Sequence, residues 1–154
     1  MAIREIRKAP DEILYKKSRE VTSFDERLHT LLDDMAETMY KANGVGLAAV
    51  QVGVLKRVCV IDDGSGLIEL VNPTIEKKDG EQTGTEGCVS FPGKWGIVTR
   101  PNHVLVKAKD RYGNEVCFEG QELLARAFCH EIEHLDGHAF TEKVERFVDL
   151  KETE

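Results

Sequence analysis

The stretch His130-Glu131-Ile132-Glu133-His134, near the C-terminus, decides how the rest of this chain is interpreted. Two histidines four positions apart lie on one face of an α-helix, with about 5–6 Å between their Cβ atoms. Two imidazoles in this arrangement can bind one metal ion, and the glutamate between them can reach a water molecule on that ion. The pattern therefore predicts a hydrolytic metal centre built on a helix.

The residues around this motif have the apolar periodicity of a helix over positions 121–136, followed by Gly137 where helices commonly end in a left-handed residue. Spacings of four, three and four residues place four side chains on one helical face: Leu123, Ala127, His130 and His134. The alternative interpretation is a pair of core histidines satisfied by hydrogen bonds, with a solvated glutamate between them.

A catalytic centre of this type needs a third protein ligand and an open position. His138 lies beyond the expected end of the helix at Gly137. Cys88, in the segment EGCVS at 86–90, is the better candidate, because the preceding glycine permits close backbone approach and a thiolate binds borderline metals strongly. On spacing alone, Cys88 is equally compatible with a small buried apolar residue.

Three ordered segments of the chain resemble the peptide deformylase family: GVGLAAVQ at 44–51, EGCVS at 86–90 and HEIEHLDG at 130–137. The stretch from Pro10-Asp11 through Leu14 to Val21 is also similar to the opening of that family. The resemblance covers nearly the whole chain. It implies hydrolysis of the N-formyl group from the N-terminal methionine of newly synthesised proteins, with release of formate.

The resemblance also implies a role for each motif residue. The family's metal ligands correspond to Cys88, His130 and His134, and water takes the fourth position. Glu131 corresponds to the general base and acid in the attack of metal-bound water on the formyl carbon. Gln51 and the backbone N–H of Val89 correspond to the groups that stabilise the resulting oxyanion.

One divalent ion is expected as the cofactor. The family is associated with Fe²⁺ as the native metal, and His and Cys ligands also suit Zn²⁺, Ni²⁺ and Co²⁺. Two positions depart from the common family pattern, because Cys129 stands where many members carry glutamine and Glu133 where aspartate is common. We interpret Cys129 as a packing residue, and Glu133 as either orienting a neighbouring group or solvated.

The substrate is expected to be the N-formylmethionyl end of a nascent peptide. Gly44, Gly46 and Gly87 leave backbone exposed, to which an extended peptide can pair as an added strand without sequence preference. A methionine side chain needs an apolar pocket, for which the candidates are Val45, Leu123 and Ala127. Ordinary core packing is the alternative role of these three residues.

The coarse organisation predicts an α+β fold, with antiparallel or mixed β-sheets packed around a central metal-binding helix. A capping box at 23–26 is expected to open an N-terminal helix whose buried stripe is Leu28, Leu31, Leu32, Met35 and Met39. Residues 57–119 are β-like, with apolar runs at 58–61, 67–71, 104–106 and 116–118 on either side of turn-rich linkers. Trp95, near the cysteine motif, is interpreted as a structural anchor or a residue at the cleft mouth.

Length and composition indicate one compact enzyme. A chain of 154 residues suits a single catalytic domain spanning 1–154. Its net charge of −7, from 21 basic and 28 acidic residues, disfavours nonspecific binding to nucleic acid. Four cysteines without a signal peptide indicate a reducing compartment, and we expect the bacterial cytoplasm because an import extension is also lacking. No stretch reaches the ~20 apolar residues of a membrane span.

The chain is expected to be a monomer. Some deformylases continue into a substantial C-terminal helix implicated in ribosome contact. Segment 144–150 has room for about two helical turns or for an edge strand, so a transient ribosome contact is left open.

Two other functions compete with the deformylase hypothesis. One is a different H-E-x-x-H metallopeptidase that cuts internal peptide bonds, against which the cysteine motif and Gln51 argue. The other is a noncatalytic metal-binding module. A structural zinc site is normally closed by four protein ligands, so the presence of Glu131 favours an open, working site.

Overall fold

The computed structural model describes residues 2–149, and its elements follow the α+β pattern expected from the sequence. The helices are α1 (Glu26–Lys41) and α2 (Leu123–Leu135), with short 3₁₀ helices at Glu12–Tyr15, Ala49–Val52 and Phe140–Glu142. The strands are β1 (Gly46–Ala48), β2 (Val58–Ile61), β3 (Ile68–Asp79), β4 (Gln82–Gly87), β5 (Trp95–Arg100), β6 (His103–Lys109), β7 (Glu115–Gln121) and β8 (Arg146–Val148). Within residues 2–149, every helix is too short or too polar to cross a membrane.

The strands form two antiparallel sheets. The larger sheet has the order β1-β2-β3-β6-β7, and the smaller one has the order β4-β5-β8. The four apolar runs predicted as strands lie in the larger sheet, in β2, β3, β6 and β7. β8 is the edge strand that was one of two alternatives for segment 144–150, of which residue 150 lies outside the described part of the chain.

Helix α1 has the predicted buried stripe but begins later than its capping box suggests. All five stripe residues are buried, so the predicted periodicity is confirmed. The N-terminal cap is Asp25, whose carboxylate accepts a hydrogen bond from the backbone N–H of Leu28 at 3.2 Å, and Glu26 is the first helical residue. The expectation that the helix opens at Ser23 was wrong, because the aspartate carboxylate satisfies a free N–H of the first turn.

Strand β2 is buried on both faces, which explains its continuous apolar run. Val58 and Val60 pack with the apolar face of α1, whereas Cys59 and Ile61 pack with the apolar face of α2. The two helices therefore lie on opposite sides of the larger sheet. Helix α2 is the central element, because it also faces the smaller sheet.

Helix α2 follows the prediction closely. It begins at Leu123 and ends at Leu135, and Gly137 adopts a φ of 85°, as expected for a residue that follows a helix end. Phe128, Ile132 and Leu135 are buried against the larger sheet. The side chains on the opposite face are free to line a site between α2 and the smaller sheet.

A third apolar cluster supports the chain beyond Cys88. It contains Leu14, Phe91, Val98, Ala139 and Phe140. The ring of Phe91 meets the ring of Phe140 edge-on, with 5.7 Å between centroids, and Phe140 stacks against the His130 ring at 5.8 Å. The cluster therefore gives the imidazole of His130 a rigid apolar backing.

The packing of α1 predicts the effect of truncating its stripe. Leu32 is 0% exposed, so Leu32→Ala should lower the free energy of unfolding by about 2–5 kcal/mol through lost burial and a residual cavity. Leu67→Ala is the control, because this leucine is 42% exposed in a loop and its loss should change stability by less than about 0.5 kcal/mol. Urea unfolding of both variants checks the difference, and equal effects would contradict the packing described for α1.

Candidate active site

A cleft of about 660 Å³ opens between α2, the segment that leads into β1, and the end of β4. Most of the predicted site residues line it: Gly44, Val45, Gly46, Gly87, Cys88, Val89, Leu123, Ala127, His130 and Glu131. Gln51 and His134 are not among the lining residues, and they are 1% and 0% exposed. The structure thus brings the three sequence motifs to one place.

Three potential metal-ligating atoms converge at the base of this cleft. Cys88, His130 and His134 each offer one ligand atom, and these atoms all lie within 4.8 Å of one another. His134 Nε2 is 3.2 Å from His130 Nε2 and 3.4 Å from Cys88 Sγ. The two histidines come from successive turns of α2, whereas the cysteine follows the last residue of β4. Helix and sheet must therefore be held in register for the three atoms to meet.

Glu86 fixes the orientation of His130. Its Oε2 accepts a hydrogen bond from His130 Nδ1 at 2.7 Å, which places the proton on Nδ1 and turns Nε2 towards Cys88 and His134. A carboxylate on the outer nitrogen is the usual means of orienting a metal-ligating histidine. The sequence alone did not indicate this role for Glu86, because its position two residues before Cys88 is the only local signal.

Arg100 holds the Glu86 carboxylate from the other side. Its Nη2 donates to Oε2 at 2.7 Å and its Nε donates to Oε1 at 3.2 Å. Burial raises the pKa of Glu86, but the hydrogen bonds from His130 and Arg100 outweigh this effect and hold the pKa far below its ordinary value. Glu86 is therefore an anion despite being buried.

The two positions that depart from the family pattern have distinct surroundings. Cys129 is buried in the apolar cluster between α2 and the larger sheet and lies outside the group of ligand atoms. Glu133 accepts a hydrogen bond from Arg100 Nη1 at 2.7 Å, so it orients the arginine that binds Glu86. This contact corresponds to the orienting alternative for Glu133.

The electrostatics of the converging atoms suit a cation. Burial lowers the pKa of His130, but Glu131 and hydrogen bonds to Cys88 and Glu86 raise it well above the ordinary value. Burial and the neighbouring His130 hold the pKa of His134 well below its ordinary value. The surroundings thus favour one positive charge beside a neutral imidazole. A divalent metal ion bound by the two imidazoles and the Cys88 sulfur would supply that positive charge.

Glu131 lies beside the converging atoms with one free carboxylate oxygen. Its Oε1 is buried and has no hydrogen-bond partner among the described residues, and its Oε2 is 3.9 Å from His130 Nε2. Burial raises the pKa of Glu131 to about 7, with Glu86 adding to the rise and His130 opposing it. A carboxyl group with such a pKa can both accept and release a proton near neutral pH.

Gln51 reaches the same site from the 3₁₀ helix after β1. Its Oε1 accepts a hydrogen bond from the Ala48 N–H at 2.9 Å, which fixes the orientation of the amide. Its Nε2 donates to Ser90 Oγ at 3.0 Å and to Cys88 Sγ at 3.4 Å. The amide nitrogen therefore lies next to the sulfur, where a carbonyl oxygen bound in the cleft can compete for one of its hydrogens.

Two glycines let other groups approach this site closely. A Cβ atom on Gly46 would lie 2.6 Å from Glu131 Oε2, and a Cβ on Gly87 would lie 2.5 Å from the ring of Trp95. Trp95 covers Gly87, lines the cleft and remains 36% exposed. It thus combines the anchoring role and the mouth position considered from the sequence.

Comparisons with known proteins agree on one family. The family described as polypeptide deformylase matches residues 3–149. The chain is 61% identical over its full length to a peptide deformylase from Caldicellulosiruptor bescii and 62% identical to one from Acetivibrio thermocellus, covering 93% and 91% of those proteins. A solved peptide deformylase structure from Legionella pneumophila is similar with a TM-score of 0.89 at 46% identity, over 93% of this chain and 86% of that one.

The contact between Gly46 and Glu131 predicts a steric effect on this site. Gly46→Ala should displace the Glu131 carboxylate, and a displacement of about 1 Å in such a group costs roughly 10²-fold in rate. Gly84→Ala is a matched control, because a Cβ there would make an ordinary 3.5 Å contact with Arg126. The check is the steady-state hydrolysis rate of each variant at equal metal content. Equal rates for Gly46→Ala and Gly84→Ala would contradict the prediction.

Proposed function

The chain belongs to the polypeptide deformylase family, and from this membership we propose a role for each residue of the cleft. The enzyme is a metal-dependent hydrolase that removes the N-formyl group from nascent peptides. Neither an internal metallopeptidase nor a noncatalytic metal module is favoured beside this assignment. What remains to be proposed is how these particular residues perform the reaction.

Cys88, His130 and His134 are the proposed ligands of one divalent ion. The supporting observation is the convergence of their ligand atoms within 4.8 Å of one another, in surroundings that favour a cation. A divalent ion held by these residues would supply Lewis acidity, which lowers the pKa of a bound water molecule from about 15.7 to about 7. Thiolate and imidazole ligands suit Fe²⁺, Zn²⁺, Ni²⁺ and Co²⁺, and we propose Fe²⁺ as the native metal from the family resemblance.

Glu131 is the proposed carrier of the proton. Its unpartnered Oε1 is available to accept a proton from the attacking water and then to release it. The acceptor is the amine nitrogen that leaves the formyl carbon. General acid–base catalysis of this type typically contributes about 10²–10⁴-fold to the rate.

Gln51 and Val89 are the proposed hydrogen-bond donors to the oxyanion. Gln51 Nε2 keeps its 3.0 Å bond to Ser90 Oγ, and the N–H now directed to Cys88 Sγ is the one that donates to the formyl oxygen. The backbone N–H of Val89, directly after Cys88 in the lining of the cleft, is the second donor. Loss of one such donor typically costs about 10²–10³ in rate.

Six of the other lining residues are proposed to bind the peptide: Gly44, Val45, Gly46, Gly87, Leu123 and Ala127. Gly44 precedes β1, Gly46 is the first residue of β1, and Gly87 is the last residue of β4. The substrate backbone can therefore form hydrogen bonds with the protein backbone on either side of the cleft. Val45 and Leu123 are 36% and 48% exposed and lie in the cleft lining, where they can contact a methionine side chain together with the buried Ala127. Backbone pairing explains why many N-terminal sequences would be accepted.

We further propose that residues 1–154 form a single catalytic domain that works as a monomer in the bacterial cytoplasm. The family match over residues 3–149 supports the single domain, and the bacterial origin of the similar proteins supports the location. The net charge of −7 argues against direct binding to nucleic acid. We also propose that the enzyme contacts the ribosome only transiently and does not bind a membrane.

The single observation that carries the proposed mechanism is the approach of three motif segments to one group of ligand atoms. Its test is the reaction of formyl-Met-Ala-Ser compared with unformylated Met-Ala-Ser. We expect formate from the first peptide, intact Met-Ala-Ser as its other product, and no cleavage of the second. Release of free amino acids in place of formate would instead assign the site to an internal peptidase.

The role of Glu131 predicts that a substitution at this residue can lower turnover without changing metal binding. Glu131→Gln keeps the size of the side chain but cannot accept the proton, so turnover should fall by about 10²–10⁴-fold while the bound metal stays at the wild-type amount. Glu26→Gln is the control, because this glutamate lies in the exposed first turn of α1. Metal analysis and formate release are measured on the same samples. Unchanged turnover would remove Glu131 from the mechanism.

A further inference from the structure

Arg126 is a buried charged residue that no sequence motif singles out. It lies on α2, one turn before His130, and its side chain is 10% exposed. Its Nη1 donates to Glu86 Oε1 at 2.7 Å, and its Nη2 donates to the carbonyl oxygen of Val98 at 3.1 Å. Through these bonds, the guanidinium joins α2 to both β4 and β5.

Arg126 completes the set of donors around the Glu86 carboxylate. Oε2 is occupied by His130 and Arg100, each at 2.7 Å. On Oε1, the bond from Arg126 Nη1 is 2.7 Å long, whereas the bond from Arg100 Nε is 3.2 Å. Charge-assisted bonds of about 2.7–2.9 Å are the strong ones, so Arg126 is the principal partner of Oε1. It thereby restrains rotation of the carboxylate plane that His130 contacts.

The same ion pair joins the two chain segments that carry the converging ligand atoms. Glu86 precedes Cys88 by two residues, and Arg126 precedes His130 by four. A change in the distance between Arg126 and Glu86 therefore changes the separation between the cysteine and histidine ligand atoms. The Glu86–His130 bond also joins these segments, and Arg100 forms a further connection through Glu133, which meets α2 about two turns after Arg126.

We propose that Arg126 is a positioning residue for the metal centre: through Glu86, it holds His130 and Cys88 in the arrangement that binds the ion. The inference rests on the proposed function, because it takes Cys88, His130 and His134 as the ligands. Arg126 touches neither the ion nor the reacting atoms. Its loss should therefore act first on metal affinity and geometry, and on turnover only through them.

A competing role for Arg126 is that of a pocket wall. Its side chain also lines the cleft close to Leu123 and Ala127, the residues proposed to contact the methionine side chain. In that role, a substitution would raise KM for formylmethionyl peptides and leave metal binding unchanged. Metal affinity and KM therefore separate the two roles.

The test uses the full chain loaded with Co²⁺, because a cobalt–thiolate pair absorbs light in a band that reports the geometry at Cys88. Arg126→Met keeps the apolar stem and removes the charge. We expect it to weaken Co²⁺ binding about tenfold in competition with a chelator, near the lower end of the 10–100-fold range for residues that orient ligands, and to shift the thiolate band. Arg126→Lys keeps the charge without the planar fork, and its affinity should be intermediate.

The matched control is Arg111→Met. Arg111 is also partly buried and pairs with two carboxylates, Glu69 and Asp33, but it lies outside the cleft lining. This variant should lose stability and retain the wild-type Co²⁺ affinity and band. Glu86→Gln tests the route of the effect. If Arg126 acts through Glu86, adding Arg126→Met to Glu86→Gln should cause no further loss of affinity.

Each other outcome overturns a defined part of the account. Wild-type affinity and an unshifted band in both Arg126 variants would overturn the positioning role alone, as would a raised KM without loss of Co²⁺ binding. Additive losses in the double variant would also overturn the proposed route through Glu86. A cobalt–thiolate band that persists in the Cys88→Ser variant would instead overturn the ligand assignment, and with it the proposed mechanism.

Discussion

The buried hydrogen bond between Glu86 and His130 is the interaction on which the arrangement of the site depends. It connects the end of β4, which carries Cys88, to the middle of α2, which carries both histidines. Burying a carboxylate costs several kcal/mol unless partners compensate it, and here Arg100, Arg126 and His130 provide them. The compensated carboxylate of Glu86 therefore orients the imidazole of His130 and connects β4 to α2.

The apolar packing explains why this polar network can remain rigid. Helix α2 packs on the larger sheet through Phe128, Ile132 and Leu135, and its opposite face turns to the cleft. Phe140 stacks against the ring of His130 from the third apolar cluster. The glutamate between the histidines is then close to Gly46, where only the absence of a side chain leaves space for its carboxylate. The two histidines proposed as ligands and the glutamate proposed to carry the proton therefore share one packed helix.

The helices and strands that could be predicted from the sequence are those whose apolar pattern lies within the element itself. The periodicity around His130, the stripe of α1 and the apolar run of β2 each depend on nearby residues, and the structure confirms them. Strands β4 and β5 were not predicted individually, because their glycines and threonines lack a clear apolar alternation. The start of α1 was misplaced because two polar residues on either side of Phe24 can each act as a cap, and only the structure distinguishes Asp25 from Ser23.

The site shows the same division between local and long-range information. Cys88 and the two histidines were candidates because of their spacing and a family resemblance, and the structure places them together. The contacts of Glu86, Arg100 and Arg126 join residues that are 14 to 44 positions apart, so a local sequence pattern could not predict them. Glu133 was left between two interpretations for the same reason, since its partner Arg100 lies on another element.

The most direct test of the account is a titration of metal-free enzyme with Fe²⁺ under anaerobic conditions, followed by formate release from a formylmethionyl peptide. If Cys88, His130 and His134 hold a single catalytic ion, activity should rise linearly and saturate at one equivalent of metal per chain, and Cys88→Ala should abolish that rise. Full activity without added metal, or saturation at one equivalent that persists in Cys88→Ala, would contradict the account.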